Sequence, residues 1–138
     1  IFSAGDLFTS ILPHLLVNGV KEAIIASKAK VILVLNLMTK KGETDSYKAS
    51  DYLKTFLSYL EDNNRIDYII ANSNGLNKEI LEIYEKDSQE PVKIDEEECL
   101  KLSPNIKIEK TALAVYHVRE HLFRHEPHLL ATSILNLS

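Results

Sequence analysis

At 138 residues the chain is long enough for one domain with a real core and too short for two comfortable ones. A hydrophobic fraction of 45% and a charged fraction of 26% exclude disorder, collagen-like repeats and fibrous classes. The net charge of −4 offers no basic footprint for nucleic acid, so an anionic ligand must be held by local geometry rather than by a global field.

The chain opens IFSAGD, which reads as the last two residues of a strand entering a glycine-containing loop. A natural domain rarely opens in mid-element, so further sequence is expected upstream of Ile1. DLFTSILPHLL has a helical pattern that Pro13 should break or kink, and NGVKEAIIAS restarts it with Asn18 as cap. VILVLN (31–36) and IDYIIAN (66–72) are short β-branched runs, apolar on both faces, as covered strands of a parallel sheet are. Each ends in Asn and enters a polar loop, Met38 to Ser46 and Ser73 to Leu76. Helices follow. In 47–61, Leu53, Phe56, Leu57 and Leu60 recur at helical spacing. In 77–87, Ile80, Leu81 and Tyr84 do the same behind Asn77 as N-cap. PVKID reads as a strand leading into the helix EEECLKL, where Asp95 and Glu98 have capping-box spacing. IKIEK (106–110) is a further strand, and PHLLATSIL a closing helix with Pro127 in its first turn.

Strands alternating with helices predict βαβ crossovers and a mostly parallel sheet, hence an α/β fold of three layers, α/β/α, in a single domain. The lone Cys99 permits no intrachain disulfide, sits in a helical pattern as a core residue, and makes reducing cytoplasm the natural compartment. The apolar runs fall well short of the ~20 residues of a membrane span. A charged stretch leading into an apolar core is lacking at the start, so no signal peptide is expected.

Three polar loops stand where strands give way to helices: SAGD, MTKKGETDS and NSNGLN. Ligands of open α/β sheets bind at such places, where helix N-termini offer free N–H groups. SAGD is too short for a Walker loop, and alone it is ordinary turn chemistry. MTKKGETDS carries more. Thr39, Thr44 and Ser46 have hydroxyl groups to donate, Gly42 lets backbone approach a ligand, and Glu43 and Asp45 accept from sugar hydroxyls or hold a cation. The competing reading is that Asp45 or Ser46 only caps the helix that starts near Tyr47. His117, His121 and His125 are spaced to share one helix face, with His128 following. The metalloprotease form HExxH is absent, AVYHV reads equally as strand, and a solvated or hydrogen-bonded face is preferred to a metal site. Arg124 in FRHEP has the chemistry to clamp a phosphate, or else to pair with Glu120 or Glu126. The residues define neither a nucleophile triad nor a metal set.

Taken together, AGDLFTSILPHLLVNGVKEAI, LNLMTKKGETDSYKASDYL, IDYIIANS, PVKIDEEE and LFRHEPHLLA resemble the gluconeogenesis factor family, bacterial relatives of the 2-phospho-L-lactate transferases. The likeness runs along nearly the whole chain, and NLMT…GETD…ASD is its most specific block. It implies a Rossmann-like fold, with this chain as the C-terminal part of a nucleotide-binding domain whose glycine-rich nucleotide loop lies upstream. It also implies a UDP-sugar-binding regulator of carbon metabolism and cell-wall synthesis or cell shape, acting as a homodimer without an established reaction. The alternative is a transferase that moves a phospholactyl group from a nucleotide-activated donor with a divalent metal such as Mg2+. GETD and RHEP are motifs of the first branch. Carried over by position, Gly5, Asp6, Thr9 and Ser10 belong to the phosphate-side loop. Asn36, Thr39, Gly42, Glu43, Thr44, Asp45 and Tyr47 line the ligand cleft, and Arg124 with His125 reaches the diphosphate. The chain departs from the family in Ser3-Ala4-Gly5, where Gly-Pro-Gly is usual, and in Ser46, where glycine is common.

Overall fold

The computed structural model describes residues 1–120 and 122–137. Three parallel strands, β1 (Ile32–Val34), β2 (Tyr68–Asn72) and β3 (Lys107–Thr111), lie side by side in chain order. Leu33 is opposite Ile69, which is opposite Ile108. Phe2 forms a parallel bridge with Leu33 and extends the sheet at its β1 edge. Helices α1 (Val20–Ala26), α2 (Ala49–Leu60), α3 (Lys78–Lys86) and α4 (Glu96–Leu102) precede the last strand of this sheet, and α5 (Pro127–Asn136) closes the chain.

Because side chains alternate along a strand, β1 and β2 bury both faces. Leu33, Leu35, Ile69 and Ala71 meet Leu53, Phe56 and Leu57 of α2 and Cys99 of α4. Ile32, Val34 and Ile70 face the other way, with Leu113 and with Leu130 and Ile134 of α5. This is the expected three-layer α/β/α arrangement. Phe56 is completely buried and meets Phe2 edge-on at 4.6 Å between ring centroids; truncating such a ring costs about 3 to 5 kcal/mol.

Pro13 does interrupt its helix. A π-helical turn, Leu7–Ile11, runs into a 3-10 turn, Leu12–Leu16, with Pro13 as the second residue of the latter. Asn18 does not cap α1; that position falls to Gly19, at φ +83°. Asn77 caps α3 as its side chain predicts, accepting from Ile80 N at 2.9 Å. Asp95 precedes α4, and its side chain makes no cap bond to the first turn. Its carboxylate instead accepts from Ser50 N at 2.9 Å and Ser50 Oγ at 2.6 Å, tying α4 to α2. PVKID is not a strand: only Pro91 and Lys93 make isolated bridges, to Met38 and Lys48. Proline has no N–H to contribute to a longer ladder. At the amino ends of the strands, Arg65 donates to the carbonyls of Ile24 (2.8 Å), Ser27 (3.0 Å) and Ala29 (2.6 Å) and pairs with Asp67 at 3.1 Å.

The stretch AVYHVREHLFRH folds as an antiparallel hairpin of β4 (Ala114–His117) and β5 (Leu122–His125), with Val115 opposite Arg124. The shared helix face of the histidines therefore does not exist. His117 and His125 stand at different ends of the pairing, opposite Leu122 and Ala114, and His121 lies outside the described residues.

Candidate functional site

The strands are parallel, so the loops after β1 and β2 leave the same edge of the sheet, where a cleft of about 560 Å³ opens. Its walls come from four stretches of chain, with Leu130 of α5 beside them. Ser3, Ala4, Gly5 and Asp6 form one, and Asn36 to Lys40 the next. Tyr84 and Gln89 follow, and β5 supplies Leu122 to His125. Gly5 N donates to Asn36 Oδ1 at 3.2 Å, which joins the first two walls. Tyr84 Oη accepts from Phe123 N at 2.7 Å and joins the last two.

The predicted site residues divide between this cleft and its surroundings. Gly5, Asp6, Asn36, Thr39, Arg124 and His125 line it together. Thr9 and Ser10 lie on the exposed side of the π-helical turn. Gly42, Glu43, Thr44, Asp45 and Tyr47 are outside the lining, and most of them serve the loop itself. Thr44, 1% exposed, accepts at Oγ1 from Lys40 N (2.9 Å) and Tyr52 Oη (3.0 Å). Asp45 accepts from Gly42 N at 2.8 Å rather than from the helix, and α2 begins only after Lys48, whose N–H bonds to Asp51. Tyr47 packs edge-on to Tyr52 at 5.6 Å. Gly42 has φ +78°, which explains a glycine here. Ser46 has φ +58°, a left-handed conformation that favours glycine.

Thr39 is buried and locked in a reciprocal pair: Thr39 N donates to Glu90 O at 2.7 Å, and Glu90 N donates to Thr39 Oγ1 at 2.9 Å. The third polar loop is likewise occupied, since Asn72 Oδ1 accepts from Leu113 N (2.9 Å) and Asn74 Nδ2 donates to Ala114 O (2.8 Å). These bonds hang the hairpin on the sheet edge and so bring Arg124 to the cleft.

Sequence reasoning passed over Lys40, Tyr84, Gln89 and Phe123. Lys40 is the main omission, because its ammonium is held by Asp6 and, at 2.8 Å, by Glu43. Bonding to Asp6 first and Glu43 next raises its pKa. Its place directly after Thr39 was the available signal. Tyr84 has helical spacing that reads as core, and only the hairpin's position shows it to be cleft wall. Burial lowers the pKa of His125, opposed by a backbone hydrogen bond at Leu35, so the ring is neutral at pH 7. Arg124 is exposed, and its guanidinium has no partner among the described residues. The residues do not fit a divalent metal: Asp6 and Glu43 converge on an ammonium, and no group of three or more His, Cys, Asp or Glu suited to a metal occurs among the described residues.

A parallel sheet covered by helices on both faces, with its cleft at the carboxyl edge, defines a Rossmann-like α/β protein. The chain belongs to the family described as 2-phospho-L-lactate transferase CofD, which it matches over residues 1–113. It is 47% identical to a putative gluconeogenesis factor of Thermotoga maritima over 97 residues, 70% of this chain and 30% of that protein. It is 34% identical to the gluconeogenesis factor of Bacillus subtilis over 137 residues, 99% of this chain and 42% of the relative. The crystal structure of protein BH3568 from Bacillus halodurans superposes with a TM-score of 0.89 at 30% identity, covering 97% of this chain and 42% of that one. The chain thus spans less than half the length of these relatives. Among the described residues, no helix is long and apolar enough to cross a membrane.

Proposed function

We propose that this chain forms the C-terminal part of a nucleotide-binding domain in a gluconeogenesis factor, and that its cleft holds the diphosphate of a UDP-sugar. In this reading the whole protein is a cytoplasmic, dimeric regulator of carbon metabolism and cell-wall synthesis rather than an enzyme. One observation carries it. An exposed guanidinium with no partner among the described residues lines a cleft at the carboxyl edge of a parallel sheet, in a chain whose net charge otherwise repels anions. Arginine suits phosphate because its planar fork makes paired, charge-assisted bonds. Loss of a charged partner costs about 1.5 to 3 kcal/mol, roughly ten- to hundredfold in affinity. Titrating UDP-glucose into the full-length protein tests the reading. Arg124→Ala should remove most of the binding heat and Arg124→Lys restore part of it. Unchanged affinity in Arg124→Ala places the phosphates elsewhere.

The family's own description favours a second reading, transfer of a phospholactyl group from a nucleotide-activated donor. Against it stands the convergence of Asp6 and Glu43 on Lys40. Turnover of such a donor by the full-length protein would select this alternative, and retention of an intact UDP-sugar selects the regulator.

A further inference from the structure

Lys40 and Arg124 are the two basic side chains that line the cleft, and they are in opposite states. Arg124 has no partner among the described residues, whereas the Lys40 ammonium is shared by two carboxylates. Those carboxylates differ. Glu43 is mostly buried, with its side chain 17% exposed and Oε2 bonded to nothing among the described residues. Asp6 is 42% exposed and itself lines the cleft. The backbone under Lys40 is fixed on both sides, by the Thr39 pair with Glu90 and by Lys40 N donating to Thr44 Oγ1 at 2.9 Å. Any rearrangement therefore belongs to the lysine's flexible stem and to Asp6.

An ammonium held by two carboxylates presents no net positive charge to an incoming anion. A phosphate oxygen offers that ammonium a charge-assisted bond of the same kind as Asp6 does. Glu43, buried beside it, stays in place and keeps Lys40 at the cleft wall. We propose that Asp6 is an internal competitor for Lys40. A diphosphate anchored on Arg124 displaces the Asp6 carboxylate and takes the Lys40 ammonium, which becomes its second cation. Lys40 is then a specificity residue that selects doubly anionic ligands over neutral nucleosides, because only an anion can take Asp6's place. The proposal rests on the diphosphate reading above.

Calorimetry on the full-length protein with UDP-glucose and with uridine tests it. Both partners of the Asp6–Lys40 pair are more than a third exposed, so neither substitution threatens the fold, and circular dichroism verifies this. Asp6→Asn should bind UDP-glucose roughly three- to tenfold more tightly, and Lys40→Gln more weakly by a similar factor. Uridine affinity should be the same in all variants. In the Lys40→Gln background, Asp6→Asn should give no gain, which marks the two residues as one device. Failure of the wild type to bind UDP-glucose overturns both the diphosphate reading and this proposal. Wild-type binding that Lys40→Gln leaves intact, or that Asp6→Asn fails to strengthen, overturns this proposal alone.

Discussion

Two arginines at opposite edges of one sheet are in opposite states. Arg65, at the amino ends of the strands, is 11% exposed and bonds three carbonyls and one carboxylate. Arg124, at the carboxyl ends, is exposed and has no side-chain partner among the described residues. The residue type is the same, and the difference lies in what surrounds it. At the amino edge the chain turns from α1 into β1, and the carbonyls of Ile24, Ser27 and Ala29 converge on one guanidinium. At the carboxyl edge Thr39, Thr44, Asn72 and Asn74 bond within or between the loops, and none of these bonds engages the Arg124 guanidinium. Hydrogen-bonding capacity that folding does not use is available for a ligand.

Exchanging the roles of these residues should break the comparison. Arg65→Ala takes the side-chain donor from the carbonyls of Ser27 and Ala29 and one of two donors from Ile24 O and Asp67 Oδ2, so stability should fall by on the order of 3 kcal/mol. Ligand affinity, measured where the variant is still folded, should not change. Arg124→Ala should do the reverse, with stability within about 0.5 kcal/mol of wild type in chemical denaturation while binding collapses. A Tm loss in Arg124→Ala as large as in Arg65→Ala would make both residues structural and erase the contrast. Next in size is Thr44→Val, which keeps the shape but strips buried Tyr52 Oη and Lys40 N of an acceptor. A loss of about 1 to 3 kcal/mol is expected, with affinity following only as far as the loop is disturbed. Ser46→Gly relieves a left-handed serine and should gain about 1 kcal/mol or less.

The smallest effect is a pH dependence. His125 has a folded pKa below its ordinary value of 6.5 because burial disfavours the charged ring. Below that value the unfolded chain takes up the proton first. The stability contributed by the neutral ring is therefore fully present above pH 6.5 and is lost as pH falls toward the folded pKa. Replacing His125 by Gln should flatten the decline of Tm over that window. An unchanged slope would assign the decline to other groups.

Much of this architecture is legible in the sequence. Short β-branched runs at 31–36 and 66–72, apolar on both faces, read as strands covered on both sides, and the 3.6-residue spacing of Leu53, Phe56, Leu57 and Leu60 identifies α2. Pro13 and Asn77 act as their chemistry predicts. The hairpin is different: its turn, built on Val118, Arg119 and Glu120, contains no Gly, Asn or Pro to announce it. Its histidines also mimic a helical period. Asp95 shows a second kind of difficulty, since a carboxylate at capping spacing finds a better partner in Ser50, distant in sequence. The cleft was half legible. Asn36, Thr39 and Arg124 follow from position after strands and from motif. Lys40 and Tyr84 become cleft residues only through contacts with Asp6 and Phe123, which local periodicity does not encode.

The loop that follows β1 is stitched at both of its flanks to the strip before α4. Val92 N bonds Leu37 O at 3.0 Å, Thr39 N bonds Glu90 O at 2.7 Å, and Ala49 N bonds Lys93 O at 2.9 Å. In amide hydrogen exchange the protons of Thr39, Ala49 and Val92 should therefore behave as one opening unit, with a common free energy and a common response to denaturant. Since that strip follows α3 directly, pulling on α3 would strain the base of the loop that holds Lys40. The cleft wall carrying Tyr84 and the wall carrying Lys40 are, in mechanical terms, two arms of one lever.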